Sequence, residues 1–302
     1  MPDHDVTRRH FIATAAVGIA GAVHAASAAE WPAANERAVP AIDTLKLGVA
    51  SYSLREFPRA KAIEMIQALR TPYVNIKSAH LAYTLSPGEI VAARREFEAA
   101  GLTIVGGGTI TFEHDTDDDV KQYFEYAKAA GMPLIVATAA PAILPRIDRF
   151  AMQYNISVAI HNHGPEDANY PSPYDALRHV KGLGSRMGLC IDIGHTVRTG
   201  TNVVQAIIDA GPRVLDLHLK DLRDFNSVDS QVIVGEGKIP ITAIFRQLLA
   251  MNYSGFANLE YEIDAKDPLP GMKQSFAYMR GVLSGLAKPT SRGTVRTPAR
   301  NT

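Results

Sequence analysis

Cys190-Ile191-Asp192-Ile193-Gly194-His195 is an apolar run that ends abruptly in an acid and an imidazole. Two later stretches repeat the arrangement, Leu217-His218-Leu219-Lys220-Asp221 and Leu259-Glu260. A short apolar run reads as a strand buried on both faces. The polar residue at its end then sits at the rim of a sheet, where charge is solvated or holds a metal. Such strand ends on separate units, with helical patterns between them, predict one metal site assembled from distant parts of the chain.

Outward from these runs, a regular alternation begins at Leu45. Strands are predicted at Leu47–Ser51, Tyr73–Lys77, Thr103–Gly106, Leu134–Ala137, Ser157–His161, Gly188–Asp192, Val214–His218 and Phe256–Glu260. Amphipathic helices are predicted between them, including Arg59–Leu69, Pro87–Ala100, Asp117–Ala130, Pro173–Lys181, Val203–Asp209, Ile241–Ala250 and Gly271–Leu283. Ala99-Ala100-Gly101 and Ala129-Ala130-Gly131 end two of them in the way that favours a glycine stop. Eight strand–helix units over about 240 residues predict a single (β/α)8 TIM barrel, an α/β fold. The competing doubly wound sheet lacks its Gly-x-Gly-x-x-Gly turn after the first strand. Gly106-Gly107-Gly108 reads as a flexible turn after the third strand, and only weakly as a phosphate signal. In a barrel all C-terminal strand ends share one face, so Asp192, His218 and Glu260 are expected to converge.

The composition agrees. With 46% hydrophobic and 21% charged residues and a formal net charge of zero, the 302-residue chain has a globular core and no nucleic-acid footprint. A single cysteine, Cys190, excludes an intramolecular disulfide and a thiolate zinc cluster. Within its apolar run it reads as a small buried hydrophobe. Thr7-Arg8-Arg9-His10-Phe11-Ile12, followed by the Ala/Gly-rich run to Val23 and by Ala26-Ser27-Ala28, resembles a twin-arginine (Tat) export signal. The expected organisation is a signal peptide at 1–28, a linker at 29–44, the barrel at 45–287 and a disordered tail at 288–302. The mature protein is expected in the periplasm, free of the membrane.

Four motifs occur in a telling order: Cys190 to His195, His218-Leu219-Lys220-Asp221, Gly235-Glu236-Gly237-Lys238-Ile239-Pro240, and Tyr253 to Glu260. Together they resemble the xylose isomerase-like TIM barrels of the sugar phosphate isomerase/epimerase type, over roughly residues 45 to 285. That resemblance implies one divalent ion held by Glu, Asp, His and Glu on four strand ends. Asp192, His218 and Glu260 match the last three places, and this donor set suits Mn, Mg, Co, Fe or Zn. The first place departs from the pattern. His161 stands where the family's glutamate usually does, in Ile160-His161-Asn162-His163-Gly164-Pro165-Glu166. Period-two alternation puts His161 and His163 on one side, so either could be the fourth ligand. Motif position favours His161, and Asn162 is expected to point away.

The resemblance implies proton removal next to a carbonyl, with Glu260 as ligand and base. The epimerases of the family use two glutamates. Here Glu166, or a neutral His161 or His163, is the candidate for the second proton-transfer role. Lys220 is read as an oxyanion stabiliser or as a partner of Asp221 or Asp224, and Glu262 as a supporting or surface residue. His195, His163, His80 and Lys77 are candidate substrate contacts. Arg198 could hold an anionic group or lie in a surface loop, and Asp115 to Asp119 cap a helix. The substrate expected is a small carbohydrate, handled by the monomer or a homo-oligomer. A lyase that eliminates the aglycone of a 3-keto-glycoside and a non-catalytic sugar-binding barrel are the alternatives. An endonuclease IV-type role is disfavoured by neutral charge and by too few histidines after His218.

Overall fold

The structure, a computed structural model, describes residues 45–287. The expected signal peptide, linker and tail lie outside the described residues. In chain order the strands and helices are β1 (Lys46–Ala50), α1 (Arg59–Ala68), β2 (Tyr73–Ile76), α2 (Pro87–Ala99), β3 (Thr103–Phe112), α3 (Asp117–Ala130), β4 (Leu134–Ala139) and α4 (Leu144–Tyr154). There follow β5 (Ser157–His161), α5 (Pro173–Val180), β6 (Met187–Asp192), α6 (Ile193–Arg198), α7 (Val203–Ala210), β7 (Val214–Leu219), β8 (Asp221–Leu222), β9 (Gln231–Val232), α8 (Ile241–Ala250), β10 (Phe256–Leu259) and α9 (Leu269–Leu286). Eight strands close into a parallel barrel in the order β1-β10-β7-β6-β5-β4-β3-β2. Each strand is buried on both faces, which explains its nearly unbroken apolar run. In β5, for example, Val158 and Ile160 join the core beneath the helices. Ala159 packs instead with Leu134, Val136 and Cys190 inside the barrel, and His161 shares its side.

Three features differ from the sequence reading. Gly106-Gly107-Gly108 is not a turn, because β3 runs on to Phe112. The glycines lie where β3 meets its neighbour: a Cβ on Gly108, at φ +138°, would come within 2.0 Å of the Val136 carbonyl oxygen. Helices α4 and α6 are added to those read above, α6 starting directly after β6 with Asp192 as its cap. In α4, Pro141 just before the helix and Pro145 within it obscure the pattern, yet Pro145 stands in the first turn, where a missing N–H costs nothing. A short antiparallel ribbon, β8 with β9, follows β7 outside the barrel. The Asp117 region behaves as expected of a helix start, although Thr116 is the cap, accepting from the Asp119 N–H, while Asp115 and Asp117 pair with Arg146.

The ribbon explains why two of the four motifs travel together. Asp221, buried at 1% exposure, accepts N–H bonds from Gly235 (2.9 Å), Gly237 (3.1 Å) and Ile239 (3.0 Å). Its carboxylate thus moulds the Gly-Glu-Gly-Lys-Ile-Pro loop. Deeper in the barrel, Asp216 accepts from Asn75 Nδ2 (2.9 Å) and Asn258 Nδ2 (2.8 Å). Burial pushes the Asp216 carboxyl up to about 7, against the opposing pull of His218 and these amides.

Asp221→Ala would orphan buried N–H groups, and a loss of about 2–4 kcal/mol is expected in urea unfolding, with Asp221→Asn milder. The folded chain holds the Asp216 proton at pH values where the unfolded chain, with an ordinary 3.8, has released it. Stability therefore falls as pH rises from about 4 to about 7, by on the order of a few kcal/mol. Melting curves of the metal-free protein at pH 5 and pH 8 are expected to show this fall, reduced in Asp216→Asn.

Candidate metal centre

The C-terminal ends of β5, β6, β7 and β10 are contiguous around the barrel. Each delivers one side chain to a common point: His161, Asp192, His218 and Glu260, with ligand atoms all within 4.8 Å of one another. His161 Nε2 lies 3.0 Å from His218 Nδ1 and 3.6 Å from Asp192 Oδ2, and His218 Nδ1 lies 3.2 Å from Glu260 Oε2. Asp192 and the two imidazoles are almost fully buried. Asp192 Oδ2 is ion-paired with Lys220 Nζ at 3.0 Å, while His161 Nδ1 and His218 Nε2, the ring nitrogens not used in these contacts, make no hydrogen bond among the described residues. Two imidazoles and two carboxylates around one point fit a divalent ion of the Mn, Mg, Co, Fe or Zn kind.

The electrostatics agree with that fit. Burial pushes His161 down to about 3, so it is neutral, as a ligand must be. Burial favours a protonated Asp192, but the Lys220 charge, aided by His195 and His161, holds it well below the usual carboxylate range. Burial acts likewise on Glu260 and is overridden by His218 and Lys220. His218 is raised despite burial, chiefly by Glu260. Lys220 Nζ sits 3.0 Å from both Asp192 Oδ2 and Glu260 Oε2 and also pairs with Glu262. To act as a ligand His218 would give up the proton that Glu260 favours; with both imidazoles then neutral, three carboxylates against one ammonium leave two negative charges, which a divalent ion would balance. Cys190 Sγ also lies near His161 and His218, but burial pushes its thiol up and keeps it protonated.

The remaining candidates divide into those at the cluster and those apart from it. Lys220 is at its centre, partnered by Asp192, Glu260 and Glu262 rather than by Asp221 or Asp224. The His163 ring, tilted 54° to that of His161 with centres 4.3 Å apart, has its Nδ1 3.2 Å from Asp167 Oδ2, beside the converging group. His195 lies 5.8 Å from His163 and 6.1 Å from His161, ring to ring, at the rim. Asn162 turns away as expected, tying β5 to Asp192 N (3.1 Å) and Thr196 Oγ1 (3.1 Å). Glu166 stands apart: it is exposed and paired with the buried Arg198 guanidinium, which holds its carboxyl below the usual range. His80 also stands apart, since both ring nitrogens are taken by Ser51 Oγ (2.9 Å) and the Leu54 carbonyl (3.1 Å). Lys77 reaches the mouth, half-buried beside Tyr52.

Gln231 is a residue that strand-end reasoning misses. From the ribbon its amide donates to the Glu260 carbonyl (2.7 Å) and accepts from the Glu262 N–H (2.9 Å), bracketing the backbone of the β10 end. No local pattern marks it, because its partners are about thirty positions away.

Isothermal titration with Mn2+ is expected to show His161→Ala weakening binding by 100-fold or more, and His163→Ala by less than about 10-fold. The reverse order would make His163 the ligand.

A family profile described as xylose isomerase-like TIM barrel matches residues 60–282. A curated relative, the rhizopine catabolism protein MocC of Rhizobium meliloti, is 24% identical over 133 residues; the match spans 39% of this chain and only 40% of that protein. Among solved structures, 3-keto-D-glucoside 4-epimerase from E. coli superposes with a TM-score of 0.63 at 18% identity, over 78% of this chain and 99% of its own. D-psicose 3-epimerase from Clostridium cellulolyticum H10 gives 0.63 at 15% identity, over 79% and 99%. The probable 3-DHS dehydratase AsbF from Bacillus anthracis gives 0.67 at 12% identity, over 78% and 99%. At these identities the structures share the fold, whereas the profile covers most of the chain: the protein belongs to the xylose isomerase-like TIM barrel family.

Proposed function

We propose that this protein is a divalent-metal-dependent enzyme of the sugar isomerase/epimerase type, removing the proton next to the carbonyl of a keto sugar. The observation that carries this reading is the convergence of His161, Asp192, His218 and Glu260 on one point at the barrel mouth. The two epimerases of the same fold support the substrate class. The ion, when bound, supplies Lewis acidity to the carbonyl and orients the neighbouring hydroxyl.

Glu260 is the proton acceptor in this scheme. Its contacts to His218 and Lys220 run through Oε2, which leaves Oε1 for the substrate proton. Lys220, buried among carboxylates, keeps Glu260 ionised and adds positive charge where negative charge develops on the substrate. His163 and His195 stand beside the cluster, placed to bond sugar hydroxyls. The Arg8-Arg9 signal motif supports export of the folded enzyme to the periplasm.

One observation favours a second reading, the elimination of an aglycone from a 3-keto-glycoside. Glu166 is held at the rim by Arg198 rather than at the cluster, so no second glutamate stands beside the imidazoles among the described residues to match Glu260 as a base. Elimination needs a single strong base, and a fold relative is a probable dehydratase.

Proton NMR in D2O, with metal-loaded protein and a panel of keto sugars and 3-keto-glycosides, separates the readings. Deuterium uptake at the α-carbon is expected, lost on chelation and reduced about 10²- to 10⁴-fold in Glu260→Gln. Uptake with the aglycone retained supports isomerase or epimerase chemistry, and release of the aglycone with an unsaturated sugar makes the enzyme a lyase. Binding of the same sugars without exchange, unchanged in Glu260→Gln, would make it a sugar-binding barrel.

A further inference from the structure

The four converging residues occupy one half of the barrel mouth, the ends of β10, β7, β6 and β5. The other half, β4, β3, β2 and β1, ends differently. Ala139 closes β4, Phe112 closes β3 before an exposed Glu113, and Ala50 closes β1 before Ser51 and Tyr52. After β2 comes Lys77. Asn75, two residues earlier, points into the barrel, because its Nδ2 reaches Asp216 Oδ2 at 2.9 Å. Alternation therefore turns Lys77 inward as well, one layer higher. Its backbone N–H is pinned to Ser51 Oγ at 2.7 Å, which fixes the root of the side chain. The ammonium lies 5.2 Å from the Tyr52 ring centre and makes no hydrogen bond or ion pair among the described residues. Lys220, by contrast, is engaged by three carboxylates.

We propose that Lys77 is the second proton-transfer residue, a catalytic amine that delivers a proton to the substrate from the end of β2, which only β1 separates from the Glu260 end of β10. This rests on the proposed proton abstraction from a keto sugar. Glu260 takes the α-proton, and the electron pair of that C–H bond moves into the carbonyl system. The Lys77 ammonium then gives a proton to the opposite face of the same carbon, yielding the epimer. In the elimination the pair instead forms a C=C bond, the β C–O bond breaks with its electrons, and the Lys77 proton goes to the departing oxygen. Either way Glu260 ends protonated and Lys77 neutral, and one proton passed through water resets both.

The surroundings suit an amine that must release its proton. Burial lowers Lys77 from the ordinary lysine value, and the charges of Glu260 and Glu262 only partly oppose this. Arg55, 4.5 Å from the centre of the same Tyr52 ring, adds positive charge on that side. His80 is engaged by Ser51 and Leu54 and contributes no charge when neutral; burial lowers it.

The test uses the full chain loaded with Mn2+, with Lys77→Met and Lys77→Arg, and follows α-deuterium exchange and product formation on the substrate that the panel identifies. Lys77→Met is expected to bind Mn2+ normally and still exchange the α-proton, but to form product about 10²- to 10⁴-fold more slowly. It also loses the alkaline limb of the kcat/KM profile. Lys77→Arg keeps the charge yet cannot release a proton, so turnover is not restored. Wild type alone gives a second check, an alkaline limb below the ordinary lysine value. Unchanged turnover in Lys77→Met, full rescue by Lys77→Arg, loss of exchange together with turnover, or no such limb in wild type would overturn the proposal. Absence of exchange and turnover in wild type would instead overturn the proposed reaction itself.

Discussion

Four side chains of like or competing charge cannot be gathered at a buried barrel mouth unless their charge is balanced, and Lys220 provides the balance that the protein itself can supply. Its ammonium lies between Asp192 and Glu260 and pairs with Glu262. Removing one partner from such a buried set leaves the others uncompensated, at a cost of about 3–5 kcal/mol. Lys220 therefore permits two carboxylates to stay ionised where burial alone would protonate them. It also stops short of neutrality, and that shortfall is what makes the cluster a cation site.

Below the cluster, the barrel interior is polar in an ordered way. Asn75, Asp216 and Asn258 join three strands through short hydrogen bonds, and the small Cys190, Ala159 and Gly48 leave room for them. This layer sits two residues beneath Lys77, His218 and Glu260. Because each strand alternates, the orientation of one layer dictates that of the next. Outside the barrel, Asp221 organises the loop at 235–239 and Gln231 braces the β10 end, so the ribbon between them supports the site without contributing a ligand.

Much of this was legible from residue order because burial writes itself into a strand as an uninterrupted apolar run. The eight strands, the helices between them and the convergence of Asp192, His218 and Glu260 all follow from that signal. Boundaries were harder where glycine or proline carried a second meaning. Gly106 to Gly108 looks like a turn, yet these residues are in β3 because a neighbouring strand comes too close for a side chain. Pro141 and Pro145 look like breaks, yet Pro145 opens a helix.

By itself, then, the amino-acid order determined the barrel, its polarity and the kinds of atom gathered at its mouth, since these depend on local periodicity and composition. Only tertiary structure decided how those atoms are partnered. The assignment of Lys220 to Asp192, Glu260 and Glu262 and of His80 to Ser51 and Leu54 depends on which residues meet across the barrel. So do the withdrawal of Glu166 to Arg198 and the placing of Lys77 against the Tyr52 ring with no ion-pair partner among the described residues. Hydrogen bonds and ion pairs act over a few ångströms of space, and a closed barrel brings residues more than a hundred positions apart within that range. No local pattern encodes such a meeting.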